Sequence, residues 1–213
     1  GLLIELIRQA AICGSTFAKF QLGWRDKSNE INHFNKDKLK LVHKACEFYK
    51  IQPLFSIFHK EAWALLKSVS DPKIVKIASR TYELEKDLIS NISNEVDEMI
   101  VSTGMTDKNS IKFESYKNAK YLWCKSEYPL YGFNIKNFPK NFKNDSFSGL
   151  SDHTLGLSLS LLAISRGANI IERHFTLDKS DQTIRDHALS STPDEFASLV
   201  KEGNDLYNLV RFL

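Results

Sequence analysis

Residues 149–187 read GLSDHTLGLSLSLLAISRGANIIERHFTLDKSDQTIRDH. Two histidines, His153 and His174, each follow a short apolar run, and one amphipathic segment separates the two runs. This order predicts a strand, a loop, a helix and a second strand. If the strands are parallel neighbours, both imidazoles project at the same end of the sheet. Two imidazoles there provide half of a site for a borderline divalent metal, and Asp186 on the next loop is a third candidate ligand.

The same alternation extends outward over the rest of the chain. Near-continuous apolar runs are typical of parallel strands covered on both faces, and apolar residues at helical spacing predict the segments between them. The predicted strands are 16–21, 53–58, 74–79, 99–103, 121–124, 147–151 and 170–175. The predicted helices are 2–13, 38–49, 59–69, 84–92, 107–118, 155–165 and a last helix that follows a capping box from Thr192 to Glu195.

Strict alternation of strand and helix favours a parallel sheet with right-handed crossovers. Seven strands preceded by a helix predict the α/β class and a (β/α)8 TIM barrel that lacks its first strand in this chain. An open doubly wound sheet is the alternative, although no GxGxxG follows any predicted strand. We expect residues 1–213 to form one barrel domain.

Composition limits the function classes. The 213 residues carry a formal charge of +3 and contain no long basic block, which argues against nucleic acid as a partner. Three isolated cysteines without a CxxC motif indicate a reduced, cytoplasmic compartment. No apolar run approaches the length of about 18 residues that a membrane helix needs, so no membrane association is expected.

Polar residues at the predicted strand ends are rich in lysine, hydroxyl groups and histidine. They are Lys19, Gln21, Ser56, His59, Lys76, Ser79, Ser102, Thr103, Lys125, Ser126, Tyr128, Ser151, His153, Glu172 and His174. A lysine inside an apolar strand is costly unless it meets an anion, so Lys19 and Lys76 predict a phosphate or carboxylate site. Three alternatives stay open: lysines that reach solvent, a Schiff-base lysine, and histidines bonded to backbone in the core.

Several motifs resemble the sialic acid synthase family, which makes N-acetylneuraminate and related nonulosonates. They are SDHTLG (151–156), IERHFTLD (171–178), KFQ (19–21), KIAS (76–79), VSTGM (101–105) and SEYP (126–129), in collinear order. The resemblance implies a transferase that condenses phosphoenolpyruvate with an N-acetylated amino sugar such as N-acetylmannosamine and releases phosphate. It also implies Mn²⁺ or another divalent ion such as Mg²⁺, a homodimer and a cytoplasmic location.

The resemblance also assigns roles to individual residues. His153 and His174 are the implied metal ligands, and Tyr128 is placed near the sugar. The implied phosphoenolpyruvate ligands are Lys19, Gln21, Lys76, Ser79, Ser102, Ser126 and Ser151. Asp186, Glu172 and Lys76 are the implied catalytic residues, with Asp186 supporting the acceptor carbonyl.

The chain departs from the family pattern at several points. The resemblance implies that the family's first strand, with its catalytic glutamate, and its small antifreeze-like domain lie outside this sequence, so we expect either a fragment or a protein that lacks this carboxylate. Arg80 and Thr81 stand where the family has a glycine and an acid, and Ile184-Arg185 precede Asp186. Loss of a general acid or base costs a factor of about 10²–10⁴, so weak or absent activity is expected.

Two rival hypotheses follow from these departures. One is a non-catalytic barrel with a structural or regulatory role, and the other is a different metal-dependent lyase or aldolase on the same barrel. A barrel that lacks a strand has two unpaired edges, which predicts dimerisation or aggregation.

Overall fold

The computed structural model describes residues 1–24, 33–180 and 186–212. The chain divides into two compact units. The first unit comprises Gly1–Ala11, Thr16–Val101 and Lys112–Lys120, and the second comprises Ile12–Ser15, Ser102–Ile111 and Tyr121–Leu213. Each unit contains parallel strands that are hydrogen-bonded in chain order.

The first unit carries the N-terminal strands and most of the helices. Its strands are β1 (Phe17–Leu22), β2 (Gln52–Ile57), β3 (Ile74–Ile77) and β4 (Glu98–Ser102), of which the last residue belongs to the second unit. Its helices are α1 (Leu2–Ile12), which ends in the second unit, α2 (Lys36–Tyr49), α3 (Lys60–Lys67), α4 (Ser79–Leu84) and α5 (Lys86–Ser93).

Strands β2, β3 and β4 are buried on both faces over most of their length, as their apolar runs predict, whereas β1 is only half-buried except at Ala18 and Leu22. Leu54, Phe55, Ser56 and Ile57 of β2 are all buried in succession, and this pattern is typical of a parallel strand covered on two sides. Parallel pairing places Ser56 beside Lys76, so that consecutive strands present their carboxyl ends at one edge.

The second unit contains β5 (Ala119–Cys124), which begins in the first unit, followed by β6 (Phe147–Asp152), α6 (Ser158–Ser165), β7 (Ile170–Arg173) and α7 (Pro193–Phe212). Pairing of β6 with β7 requires Gly149, because a Cβ atom there would lie 1.9 Å from the carbonyl oxygen of Ile170. Helices α6 and α7 also pack closely, since a Cβ on Gly203 would lie 2.8 Å from Ile164.

The capping box predicted for the last helix is confirmed. The Thr192 amide donates to Glu195 Oε2 over 2.9 Å, and the Glu195 amide donates to Thr192 Oγ1 over 3.5 Å. These reciprocal bonds satisfy two amide groups at a helix start that would otherwise lack partners.

The helix predicted over 107–118 is wrong. The structure has two short 3-10 turns there, Lys108–Ser110 and Phe113–Ser115. The Asp107 side chain accepts from the Asn109 amide over 2.9 Å, and such a local bond favours a turn over a continuing helix. The expected strand 74–79 is also too long, because β3 ends at Ile77 and Ser79 begins α4.

The predicted α/β class is confirmed by the parallel, sequentially ordered strands within each unit. Closure of the strands into a barrel stays a prediction. Among the described residues, no helix combines the length and the apolar character that crossing a bilayer requires.

Candidate functional site

His153 and His174, the two predicted metal ligands, lie together in the second unit. Strands β6 and β7 pair with Asp152 opposite Arg173, so the next residue of each strand, His153 and His174, leaves the sheet at the same edge. Their ring centroids are 5.5 Å apart. The Tyr128 ring lies 4.2 Å from His153 and 6.2 Å from His174. We call these three side chains the histidine–tyrosine cluster.

The ring of His153 is held in one tautomer by the backbone. Its Nδ1 atom lies 2.9 Å from the carbonyl oxygen of Lys125, which can only accept, so Nδ1 carries the hydrogen and donates. The lone pair is therefore left on Nε2. This arrangement is typical of an imidazole that binds a metal, because the hydrogen bond from Nδ1 to the Lys125 carbonyl fixes the orientation of the ring.

The environment of His153 shifts its pKa in two directions. Burial lowers the pKa, but the contact with Cys124, the Lys125 carbonyl and the charge of Glu172 together raise it above the ordinary value. The Cys124 sulfur lies 3.9 Å from Nδ1. The ring is therefore surrounded by groups that favour positive charge, as a cation-binding site would be.

A buried ion pair lies directly behind the cluster. Arg173 and Asp152 precede the two histidines, and their side chains are 1 % and 0 % exposed. Asp152 Oδ1 accepts from the amide and the hydroxyl of Thr154 over 2.8 and 2.7 Å. Oδ2 accepts from Ser160 and from Arg173 Nη1, each over 2.5 Å. The carboxylate thus has four donors.

The guanidinium of the same pair uses four of its five N–H donors within the protein. Arg173 Nε donates to the Ser191 hydroxyl over 3.0 Å, and Nη2 donates to the carbonyl groups of Thr154 and Leu189 over 3.1 and 3.0 Å. A buried pair with this many partners rigidifies its surroundings. It fixes the backbone immediately before both histidines.

Two further backbone bonds hold the histidines from the other side. The Leu130 amide donates to the carbonyl of His153, and the Ser191 amide donates to the carbonyl of His174, each over 2.8 Å. Both imidazoles therefore extend from backbone that is bonded on two sides, which limits their movement.

The predicted serines of the second unit occupy buried or bonded positions. Ser151 is buried within β6. Ser102, also buried, donates to Glu172 Oε2 over a long 3.4 Å. The Ser126 amide donates to the Gly104 carbonyl, and a Cβ on Gly104 would lie 2.8 Å from the Ser126 hydroxyl. Glycine at 104 is thus needed for the close approach of the two loops.

Asp186 begins the last described stretch of the second unit. Its backbone carbonyl accepts from the amide and the hydroxyl of Ser190 over 3.1 and 2.7 Å. Ile184 and Arg185, which the sequence marks as a departure from the family, lie outside the described residues. The role of Asp186 stays a prediction.

The predicted anion ligands Lys19, Gln21, Lys76 and Ser79 belong to the first unit. Lys76 is 2 % exposed, and its ammonium group donates to the carbonyl of Ile77 over 2.9 Å. Lys19 and Gln21 lie in β1 opposite Leu54 and Ser56, and Ser79 begins α4. A lysine buried in a strand is unusual and retains its prediction of an anionic ligand.

The described residues include no group of three or more His, Cys, Asp or Glu side chains that could hold a metal ion. His153 and His174 supply two imidazoles, a suitable but incomplete donor set for a divalent ion. An ion bound there needs oxygen atoms from substrate or water. The cofactor therefore stays a prediction, with weak affinity expected in the absence of substrate.

The ion pair between Asp152 and Arg173 was not predicted from the sequence. The signal was present, because an acid and a base directly precede the two histidines on neighbouring strands. It was missed because only their register, Asp152 opposite Arg173, reveals them as partners.

A family model and several known proteins match this chain. A model described as the NeuB family matches residues 25–210. A pseudaminic acid synthase of Campylobacter jejuni is 36 % identical over 68 % of this chain and 44 % of its own length. An uncharacterised protein of Methanocaldococcus jannaschii is 27 % identical over 92 % of this chain and 63 % of its own length. The chain spans less than two thirds of both relatives.

A solved structure is also similar. The sialic acid synthetase of Leptospira borgpetersenii superposes with a TM-score of 0.84 and 25 % identity, covering 98 % of this chain and 79 % of that one.

Proposed function

Because the chain belongs to the NeuB family, we propose that it condenses phosphoenolpyruvate with an N-acetylated amino sugar and releases phosphate. The observation that carries the proposal is the histidine–tyrosine cluster, in which two imidazoles 5.5 Å apart are held rigidly at the ends of adjacent parallel strands. Strand ends of this kind are where α/β enzymes place their reacting groups.

In the proposed reaction the enol carbon attacks the aldehyde carbon of the sugar and forms the new C–C bond. Water then adds to the resulting cationic centre, and the phosphate group leaves with its oxygen. Lys19 and Lys76 neutralise the phosphate and carboxylate of the donor, and the serines supply hydrogen bonds to them. Tyr128, packed on both imidazoles, forms a wall for the sugar.

The acidic residues have separate roles in this proposal. Asp186 supports the acceptor carbonyl and its developing charge, while Glu172, hydrogen-bonded by Ser102, orients the attacking water. A divalent ion held by His153 and His174, when bound, supplies Lewis-acid polarisation of the sugar aldehyde.

One observation favours a second candidate, a NeuB-like protein without turnover. Thr81 stands at the position of an expected acid, is 1 % exposed, and donates its hydroxyl to the Ile57 carbonyl over 3.0 Å. A hydroxyl committed to a backbone carbonyl cannot replace a carboxylate as a base. The residual activity of the chain is therefore expected to be low.

A phosphate-release assay with phosphoenolpyruvate, N-acetylmannosamine and Mn²⁺ tests the proposal. We expect slow, sugar-dependent release that falls at least about 100-fold in His153→Ala and His174→Ala. His33→Ala is the matched control and should retain the wild-type rate. Release that does not depend on the sugar, or that survives both substitutions, would contradict the proposal. Mn²⁺ binding lost in both variants without any turnover would favour the second candidate.

A further inference from the structure

A cleft of about 620 Å³ opens in the second unit, and its volume lies in the range of small-molecule sites. Its lining comes from the connection between β5 and β6, except for Asn109 of the connection between β4 and β5. We call it the asparagine cleft. Asn144 and Asp145 lie just before β6, whereas His153 follows the carboxyl end of that strand. A strand of six residues spans about 20 Å, so this part of the cleft is well separated from the histidine–tyrosine cluster.

The segment that forms most of the cleft is held in place by the rest of the second unit. Trp123 Nε1 donates to the carbonyl of Asn137 over 3.1 Å, and Arg166 Nη1 donates to the carbonyl of Pro139 over 3.0 Å. The Phe138 ring packs edge-to-face against Trp123, with ring centroids 5.0 Å apart and planes inclined by 87°. Because the backbone and this ring are fixed, a ligand meets a preformed surface and little has to be ordered on binding.

Three carboxamide groups of the cleft are open to a ligand. The side chains of Asn109, Asn137 and Asn144 are exposed, and none of them donates to or accepts from another residue that the structure describes. Asn137 also has a φ of +57°, a conformation in which asparagine is enriched among residues other than glycine. A carboxamide presents an acceptor and two donor hydrogens in one plane, and this pattern complements the edge of a nucleobase.

Charged groups of both signs accompany these carboxamides. Lys140 lines the cleft, and Lys136 and Lys143 flank it in the chain. All three lysines are exposed, and no carboxylate in the described part of the chain forms an ion pair with them. Asp145 also lines the cleft, and its Oδ1 accepts from the Phe147 amide over 3.3 Å. An ammonium group suits phosphate, and a carboxylate accepts from the hydroxyl groups of a ribose.

We propose that the asparagine cleft binds a nucleoside phosphate, with the base edge on the carboxamides, the ribose at Asp145 and the phosphate on Lys140. A neutral saccharide would leave the lysine unused, and a simple anion would leave the carboxamides and Asp145 unused. A nucleoside phosphate combines all three complementary groups in one molecule. This inference is independent of the proposed function, because the cleft and the histidine–tyrosine cluster share no residue.

The test is isothermal titration calorimetry on the full chain in the absence of divalent metal. The probes are ADP, adenosine and pyrophosphate. We expect ADP to bind at least about tenfold more tightly than either of the other two. Lys140→Gln should lower the affinity for ADP to that for adenosine and leave adenosine unchanged. Asn109→Ala combined with Asn144→Ala should weaken ADP and adenosine severalfold and leave pyrophosphate unchanged.

Lys201→Gln is the matched control, because it removes an exposed lysine of α7 that also has no ion pair among the described residues. It should retain the wild-type affinity for ADP. Equal binding of ADP and adenosine, equal binding of ADP and pyrophosphate, or an equal loss in Lys140→Gln and Lys201→Gln would each overturn the assignment.

Two competition experiments complete the test. Phosphoenolpyruvate should not displace ADP, and displacement would overturn the inference by placing ADP among the residues that bind the donor. Maltose is the neutral saccharide probe and should bind more weakly than ADP. Maltose that binds as tightly as ADP, and that loses affinity in the double asparagine variant, would assign the cleft to a neutral saccharide instead.

Discussion

The histidine–tyrosine cluster of the second unit and the Arg80 cleft of the first are built in opposite ways. Behind the cluster, Asp152 and Arg173 are almost fully buried, and each makes four hydrogen bonds. In the cleft of the first unit that Trp24, Phe58, Arg80 and Glu85 line, the Arg80 and Glu85 side chains are exposed, and neither forms an ion pair with another residue that the structure describes. One region is rigid before any ligand arrives, whereas the other offers charges that a ligand can satisfy.

The difference in burial suits the two regions to different tasks, a fixed site for reacting groups and an exposed site for selecting a ligand. Reacting groups gain from fixed positions, since small displacements are costly in rate. Residues that select a substrate can change with little cost in stability when they lie at the surface. Arg80 and Thr81, the departures from the family pattern, lie at the cleft and not behind the cluster.

The largest expected effect comes from breaking the buried pair. Arg173→Met leaves the Asp152 carboxylate buried without its cation, which we expect to lower the free energy of unfolding by about 3–5 kcal/mol. The exposed pair of Lys73 and Asp71 in the first unit provides the matched control, because both side chains are more than 60 % exposed. Lys73→Met should change the free energy of unfolding far less, because solvent screens an exposed pair. Urea unfolding of the two variants measures the comparison.

A further substitution distinguishes positioning from simple stability. Arg173→Lys keeps the charge but loses the planar fork that reaches Thr154 and Leu189. We expect stability to be partly restored while Mn²⁺ affinity stays about 10- to 100-fold below the wild-type value. Equal losses of unfolding free energy in Arg173→Met and Lys73→Met would show that the buried pair stabilises the fold no more than the exposed pair does.

Close packing provides the second contrast. A Cβ on Gly149 would meet the Ile170 carbonyl at 1.9 Å, a backbone atom that cannot move without displacing β7. A Cβ on Gly23 would meet the His59 ring, a side chain whose displacement breaks its bond with the Ala62 amide but leaves the backbone in place. We expect Gly149→Ala to lower the free energy of unfolding by about 3 kcal/mol and Gly23→Ala by about 1–2 kcal/mol.

Gly132→Ala is the control for both, because no atom lies within 4 Å of a Cβ there. Its midpoint of thermal unfolding should match the wild-type value. A Gly23 variant less stable than the Gly149 variant would show that the cleft is packed as tightly as the sheet behind the histidines.

Sequence patterns predicted the parts of the molecule that depend on local periodicity. The strands β1 to β7, the capping box at Thr192 and the emergence of both histidines at one edge follow from apolar runs and their order. The segment 107–118 failed because its spacing resembles a helix while the Asp107 side chain stabilises a turn.

Local sequence patterns did not predict the contacts between segments that are distant in the chain. The pairing of Asp152 with Arg173 depends on strand register, and the fixed tautomer of His153 depends on the Lys125 carbonyl, 28 residues earlier in the chain. The cleft at Arg80 depends on where three loops converge, and no spacing in the sequence encodes that. Tertiary geometry decides these features after the elements have formed.

Two histidines, the half-buried His43 of the first unit and the buried His153 of the second, give the smallest and most specific contrast. Burial lowers the pKa of His43, whose Nε2 atom has no described hydrogen-bond partner, whereas its neighbours raise the pKa of His153. A lowered pKa means that the unfolded chain binds more protons below about pH 6.5, so His43 destabilises the fold progressively as the pH falls through that range. His153 acts with the opposite sign, because its stabilising contribution is present at low pH and is lost as the pH rises through its raised pKa.

The fold loses free energy of unfolding between pH 7 and pH 5 in part because His43 is protonated more readily in the unfolded chain. We expect His43→Leu to reduce this loss by less than about 1 kcal/mol, measured by urea unfolding at both pH values. An unchanged difference in His43→Leu would show that this ring titrates in the folded protein as it does in the unfolded chain.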